Sequence, residues 1–115
     1  MTVSPLDLNV VVLCGRLAAD PELRVFDSGT RLIRYLVTVG VANPRRRLDV
    51  IPVTLWDPPD DLVDHPGLKG ERVHVCGSVQ RRFWESPDGG RSRIEVVAAQ
   101  VTFRTVEDLE QVAAE

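Results

Sequence analysis

Aromatic residues are scarce in this 115-residue chain, at 5% of positions, so each of its two Trp and three Phe has to be accounted for singly. Lysine is scarcer still: Lys69 stands alone beside thirteen Arg. A cationic surface built from ammonium point charges is excluded. What remains is guanidinium, which grips planar anions through paired N–H groups and lies flat on π-systems. Cysteine appears twice, as Cys14 and Cys76, with no CxxC and no Cys/His spacing of a zinc site. Both lie in apolar stretches, which predicts buried free thiols, with a disulfide or a reactive thiol as the alternatives. No apolar run approaches the ~18–20 residues of a membrane span. Met1 to Leu8 lacks the basic run and apolar core of a signal peptide, so a cytoplasmic location is expected.

Catalytic patterns are missing too. There is no GxxxxGK phosphate loop, no HExxH and no GxSxG. His65 and His74 have no relay partners in sequence, and Asp57, Asp60, Asp61 and Asp64 lack the ligand order and Gly of a calcium loop. The expectation is a binding protein, not an enzyme, with no cofactor and no metal.

The formal charge is −3, which reads against a polyanion binder until it is divided by region. Glu107 to Glu115 hold four acids and no base, whereas residues 1–106 carry 14 bases against 13 acids. The Arg residues also cluster, as Arg45-Arg46-Arg47, Arg81-Arg82, and Arg91 with Arg93. The predicted organisation is one domain over residues 1–106, followed by a short acidic segment at 107–115.

Hydrophobic alternation predicts an all-β fold. Asn9 to Leu17 reads as a strand, with Gly15 marking a bulge or a close backbone approach. Asp20-Pro21-Glu22-Leu23 reads as a turn, and Arg24 to Phe26 as a short return strand. Thr30 to Val41 places Ile33, Tyr35, Val37, Val39 and Val41 on one face, with Leu32 and Leu36 opposite, exposed unless paired. Leu48 to Trp56 is a third main strand, with an edge or bulge at Pro52 because proline donates no ladder bond. Asp60 to His65 allows one or two helical turns, with Asp60 as N-cap. Arg72 to Phe83 alternates with Val73, Val75, Gly77 and Val79 inward. Glu85 to Gly90 is a hairpin connection and Arg93 to Phe103 the last strand, before a short acidic helix over Val106 to Ala114. Five strands, a short helix between the third and fourth, and a hairpin joining the fourth and fifth make an OB-fold barrel.

Within this frame Gln80-Arg81-Arg82-Phe83-Trp84-Glu85 stands apart. Consecutive strand residues point to opposite faces, so Phe83 and Trp84 cannot both fill the core. An exposed Trp beside Arg suits a nucleobase, since every base has a π-face. Trp56, at the end of the third main strand, offers a second platform, with core packing as the alternative for either Trp.

The chain resembles the bacterial single-stranded DNA-binding protein (SSB) family over roughly residues 8–104. The resemblance is carried by Asn9-Val10-Val11-Val12-Leu13-Cys14-Gly15-Arg16-Leu17, Asp20-Pro21-Glu22-Leu23-Arg24, Gly29, Val53-Thr54-Leu55-Trp56, Leu68-Lys69-Gly70, Val73 to Gly77, Arg82-Phe83-Trp84 and Glu95-Val96-Val97. It implies an OB-fold that binds single strands without sequence preference in replication, recombination or repair. It also implies a homotetramer, stacking positions at Trp56 and Trp84, and replication or repair proteins as partners; a dimer or tetramer is expected independently from the small barrel and the apolar Leu32 and Leu36. Two further stacking aromatics of the family fall near Asn43 and Val50, where this chain has none. The Ala42–Asp49 loop is shorter than is usual, and the stretch after Val106 does not match the family's acidic tip, which leaves two readings open, a tailless paralogue or a trimmed chain.

The binding set expected from these readings is Trp56 and Trp84, with Phe83 weaker, for stacking. Arg34, Arg45, Arg46, Arg47, Arg81, Arg82, Arg91 and Arg93, with Arg16, track phosphates. The acidic Asp57–Asp64 stretch is expected away from the groove. The alternative function is a protein-interaction or replication-restart module that keeps the barrel but binds DNA weakly.

Overall fold

The computed structural model describes residues 5–103. Its elements are β1 (Val11–Leu17), β2 (Glu22–Val25), β3 (Arg31–Val41), β4 (Arg47–Trp56), α1 (Asp60–Asp64), β5 (Arg72–Ser86) and β6 (Gly89–Phe103). The sheet runs β1-β5-β6-β4-β3-β2, and an extra pairing joins β1 to β3. Strands β1, β3, β4, β5 and β6 therefore close on themselves, and β2 is an antiparallel appendage on β3. This is the expected five-stranded OB-fold, with α1 in the expected place.

Closure depends on glycine at two crossings. β1 pairs with β5 from Val11 to Arg16, then passes to β3 through Arg16↔Thr38 and Leu17↔Val37. A Cβ on Gly15 would run into the Thr38 carbonyl, so the close approach anticipated there is real. A Cβ on Gly77 would meet the Val97 carbonyl. Beside it the register slips from Cys76↔Gln100 to Gly77↔Ala98, leaving Ala99 as an extra residue that bends β6. β6 then meets β4 in parallel over only Val53↔Val96 and Thr54↔Val97. Pro52 sits just before this contact, where the β4 edge toward β6 is still unpaired.

The interior is mostly β-branched and obeys the period of two: Leu17, Ile33, Tyr35, Val37, Val53, Leu55, Val73, Val75, Val96, Ala98 and Val101. Each of the Val, Leu and Ile side chains contributes about 1.5–3 kcal/mol by leaving water. Leu62 of α1 and Phe103 pack against this cluster from one end. Tyr35 lies tilted against Phe103 with ring centres 6.4 Å apart. Its hydroxyl is buried and makes no hydrogen bond among the described residues, and burial pushes its pKa up to about 12.

Several expectations change. Both thiols are exposed, not buried. Val12, Cys14, His74 and Cys76 occupy the outward positions of β1 and β5, and Cys14 Sγ lies 3.7 Å from His74 Nδ1. Leu32 is fully buried instead of exposed, flanked in register by Arg24 and Trp56, whereas Leu36 stays 42% exposed as expected. Val79 keeps its inward position opposite Val96, but the hairpin is leaving the barrel there and the residue is 39% exposed. The N-cap of α1 is Pro59, without a side-chain cap bond, and Asp60 belongs to the first turn. The final hairpin is longer and tighter than predicted. Its ladder continues to Ser86↔Gly89, with Gly89 at φ 112° and the Ser86 hydroxyl donating to the Gly89 carbonyl at 2.6 Å. The helix expected over Val106 to Ala114, and the acidic segment with it, lie outside the described residues. No helix among the described residues is long and apolar enough to cross a membrane.

Candidate nucleic-acid interface

Residues directly opposite in a ladder share a face, so the register sorts the predicted site. On the hairpin, Trp84 faces Arg91, Arg82 faces Arg93, and Gln80 faces Glu95. The same outward face continues through Val97↔Thr54 onto β4 and through Thr54↔Arg34 onto β3, with Trp56 two residues beyond Thr54. One surface thus collects Trp56, Trp84, Arg34, Arg82, Arg91 and Arg93 from three distant parts of the chain.

Side-chain geometry makes this surface a strip. Arg82 Cζ lies 5.2 Å from the centre of the Trp56 ring, and Arg93 Cζ lies 5.8 Å from that of Trp84. Both distances fall within cation–π range. Between the two guanidinium groups sits the Glu95 carboxylate, 6% exposed. Glu95 is 3.8 Å from Arg82 and 3.9 Å from Arg93, and it accepts a 3.3 Å hydrogen bond from the Thr54 hydroxyl. Trp84 is 42% exposed at the hairpin. Trp56 is half-buried, with Phe26 stacked on it at 6.0 Å and 17°. Arg34 is half-buried too, and its Nε is enclosed without a hydrogen-bond acceptor among the described residues. It borders a pocket of about 320 Å³ that Glu22, Thr54, Arg93 and Glu95 also line. The pocket lining sets Arg34 and Arg93 beside the carboxylates of Asp20, Glu22 and Glu95.

Other predicted residues fall elsewhere. Phe83, 72% exposed, and Arg81, which donates to the Ser92 hydroxyl at 3.1 Å, occupy the opposite face with Ile94. Arg91 shares the Trp84 face but reaches Asp88 at 3.4 Å, at the hairpin tip. Arg45 and Arg46 lie in the loop before β4, and Arg47 opens that strand, paired with Asp49 at 3.2 Å. Trp56 closes the same strand, about 30 Å away at ~3.3 Å per residue. Val50, where the family resemblance places an aromatic, is on the outward face between them and 52% exposed. Arg16 donates to the Gly70 carbonyl, away from the strip. The acidic stretch begins beside the strip: Asp57 N–H bonds the Arg31 carbonyl and Asp60 takes the Arg31 guanidinium at 3.1 Å. Among the described residues no three metal-ligating side chains cluster.

Two residues of the strip were not anticipated as site residues. Phe26 meets Trp56 only because β2 folds back on β3, a contact between residues thirty positions apart. Glu95 is an outward position on β6, and only the ladder register reveals what it touches.

The model of the single-strand binding protein family matches residues 8–104. This chain belongs to that family. Among its relatives, a single-stranded DNA-binding protein of Treponema pallidum (strain Nichols) is 31% identical over 103 residues, covering 83% of this chain and 57% of the relative. One from Clostridium tetani is 34% identical over 101 residues, covering 84% and 70%. Single-stranded DNA-binding protein 2 of Listeria monocytogenes is 37% identical, covering 84% and 63%. The chain thus spans 57% to 70% of the length of these relatives. The Plasmodium falciparum SSB in complex with ssDNA superposes with a TM-score of 0.73 at 21% identity, over 90% of this chain and all of that one. This likeness establishes the SSB-type OB-fold. Glu95, Trp56 and Trp84 all lie inside the span matched to the family.

Proposed function

We propose that the chain binds single-stranded DNA without sequence preference, laying bases against Trp84 and Trp56 and phosphates along Arg34, Arg82 and Arg93. The observation that carries this reading is the pair of indole–guanidinium stacks on one outward face. The SSB family membership and relatives named as single-stranded DNA-binding proteins support it. A stacked base contributes about 1–3 kcal/mol and is indifferent to sequence. The phosphate contacts add a salt-dependent part, with a log–log slope of about −0.7 per phosphate neutralised. The chain acts in the cytoplasm on single strands exposed in replication, recombination or repair, and nothing in the strip favours a module devoted to protein contacts instead.

Self-association belongs to the same proposal. Among the described residues nothing pairs with the second edge of the Val11–Cys14 stretch of β1, and Val10 and Val12 are 63% and 62% exposed beside it. Pairing of such edges gives a dimer, and a second contact gives a tetramer. The deciding experiment is titration of intrinsic Trp fluorescence with poly(dT) across a salt series. Saturable quenching that weakens with salt is expected. Absence of binding below high micromolar DNA overturns the reading. Light scattering that finds a monomer at micromolar concentration overturns the oligomer.

A further inference from the structure

We infer that Glu95 is a positioning residue of the DNA-binding strip: its buried carboxylate holds Arg82 over Trp56 and Arg93 over Trp84, and so sets both stacking platforms before DNA arrives. This rests on the single-stranded DNA-binding reading and deepens it.

The placement follows from the register. Arg93 is two residues before Glu95 on β6, and Arg82, opposite Arg93, is its diagonal neighbour on β5. All three point outward. The two guanidinium groups diverge from one carboxylate, Arg82 toward the β4 indole at 5.2 Å and Arg93 toward the hairpin indole at 5.8 Å. Glu95 has both arginines within 4 Å of its oxygens and the Thr54 hydroxyl at 3.3 Å. It is 6% exposed, whereas the arginine side chains remain 39% and 48% exposed, so the carboxylate is the fixed member and the guanidinium groups the accessible ones.

Two physical arguments oppose a carboxylate here. Burying a charge costs more than burying an apolar side chain of the same volume. A negative charge beneath a surface that receives phosphates also repels them. Preorganisation is the gain that answers both. Arginine has a long, rotamer-rich side chain, and fixing it before association lowers the ordering cost of binding.

Because the two roles have opposite signs, one substitution separates them. Glu95→Gln keeps the volume and the bond to Thr54 but removes the charge. Were Glu95 only an unfavourable charge or a space-filler, binding of a dT oligomer would tighten or stay the same. The positioning role predicts about tenfold weaker binding at high salt, where stacking dominates, with the salt slope unchanged. It also predicts a shifted Trp emission in the free protein, as the guanidinium groups leave the rings. Thr54→Val, which removes only the hydroxyl that anchors the carboxylate, should weaken high-salt binding in the same direction by a few-fold. It carries the test if Glu95→Gln does not fold. Unchanged or tighter binding by the folded variant overturns the inference. If the wild-type chain itself does not bind the oligomer, the functional reading fails instead. The Trp emission of free Glu95→Gln then still decides the positioning claim: a wild-type spectrum overturns it, a shifted one supports it.

Discussion

The two faces of the β5–β6 hairpin carry similar residues to different ends. Outward are Trp84, Arg82, Arg93 and Glu95; inward are Phe83, Arg81, Ile94 and Val96. Each face offers an aromatic and arginine. On the outward face the arginines lie on indoles and converge on a carboxylate. On the inward face Arg81 is tied to Ser92 and Phe83 projects at 72% exposure with no aromatic ring packed on it among the described residues. That row leads down through Val96 and Val53 to Tyr35 in the barrel. Composition does not distinguish an interface from the rim of a core; the organisation of charge around each ring does.

The sharpest way to break this contrast is to truncate one ring on each side. Trp84→Ala should weaken binding of a dT oligomer by about 5- to 150-fold, the equivalent of the 1–3 kcal/mol of one stacked base. Phe83→Ala should change it by less than about threefold, since its ring faces away. Fluorescence titration at fixed salt measures both. Equal losses would mean that DNA engages both faces, and the division drawn from the register would be wrong.

Arginine substitutions test the same division through salt. Arg93→Ala should lower affinity and reduce the magnitude of the log–log salt slope by about 0.7, one phosphate contact. Arg81→Ala should leave the slope unchanged. The Arg45–Arg47 cluster gives a graded version, because it sits at the far end of β4 from Trp56. Its triple Ala variant should leave short oligomers unaffected and weaken only those long enough to span the strand. A loss with the shortest oligomers would place the loop in the strip itself.

How much of this was legible in the sequence follows from the range of each interaction. Alternation in Ile33-Tyr35-Val37 and Val73-Val75 located the core, because a strand's parity is local. Gly15 marked a bulge or a close backbone approach by lacking a side chain, and the structure shows the approach to be to β3. Opposite faces for Phe83 and Trp84 were equally local. The exposure of Cys14 was not legible, because Val11, Val12 and Leu13 make β1 look apolar on both faces and only the sheet order shows that Cys14 faces out, whereas the outward position of Cys76 follows from Val75 and Gly77 facing in. The length of the hairpin was hidden by Gly89 and Gly90, poor strand formers held by the ladder. Phe26 on Trp56 and Glu95 between two arginines are contacts made by topology, and no window of sequence contains them.

Buried polar atoms extend the comparison inward and give the smallest expected effect. On the outward face Glu95 is buried with three polar partners. On the inward face the Tyr35 hydroxyl is buried with none among the described residues. An unsatisfied buried hydroxyl is a cost, so Tyr35→Phe should stabilise the barrel by about 1 kcal/mol. It should also alter the alkaline limit. Burial raises the folded pKa of Tyr35 from 10.0 to about 12, so the neutral phenol is favoured in the folded state. Below pH 10 the phenol is neutral in both states; as pH climbs toward 12 the unfolded chain releases the proton first and the barrel loses stability. Thermal unfolding followed by circular dichroism from pH 9 to about 12 should show a steeper decline for the wild type than for Tyr35→Phe. Parallel declines, with no gain at neutral pH, would mean that the hydroxyl finds a partner, and the contrast between a satisfied outer face and an unsatisfied interior would lose its inner half.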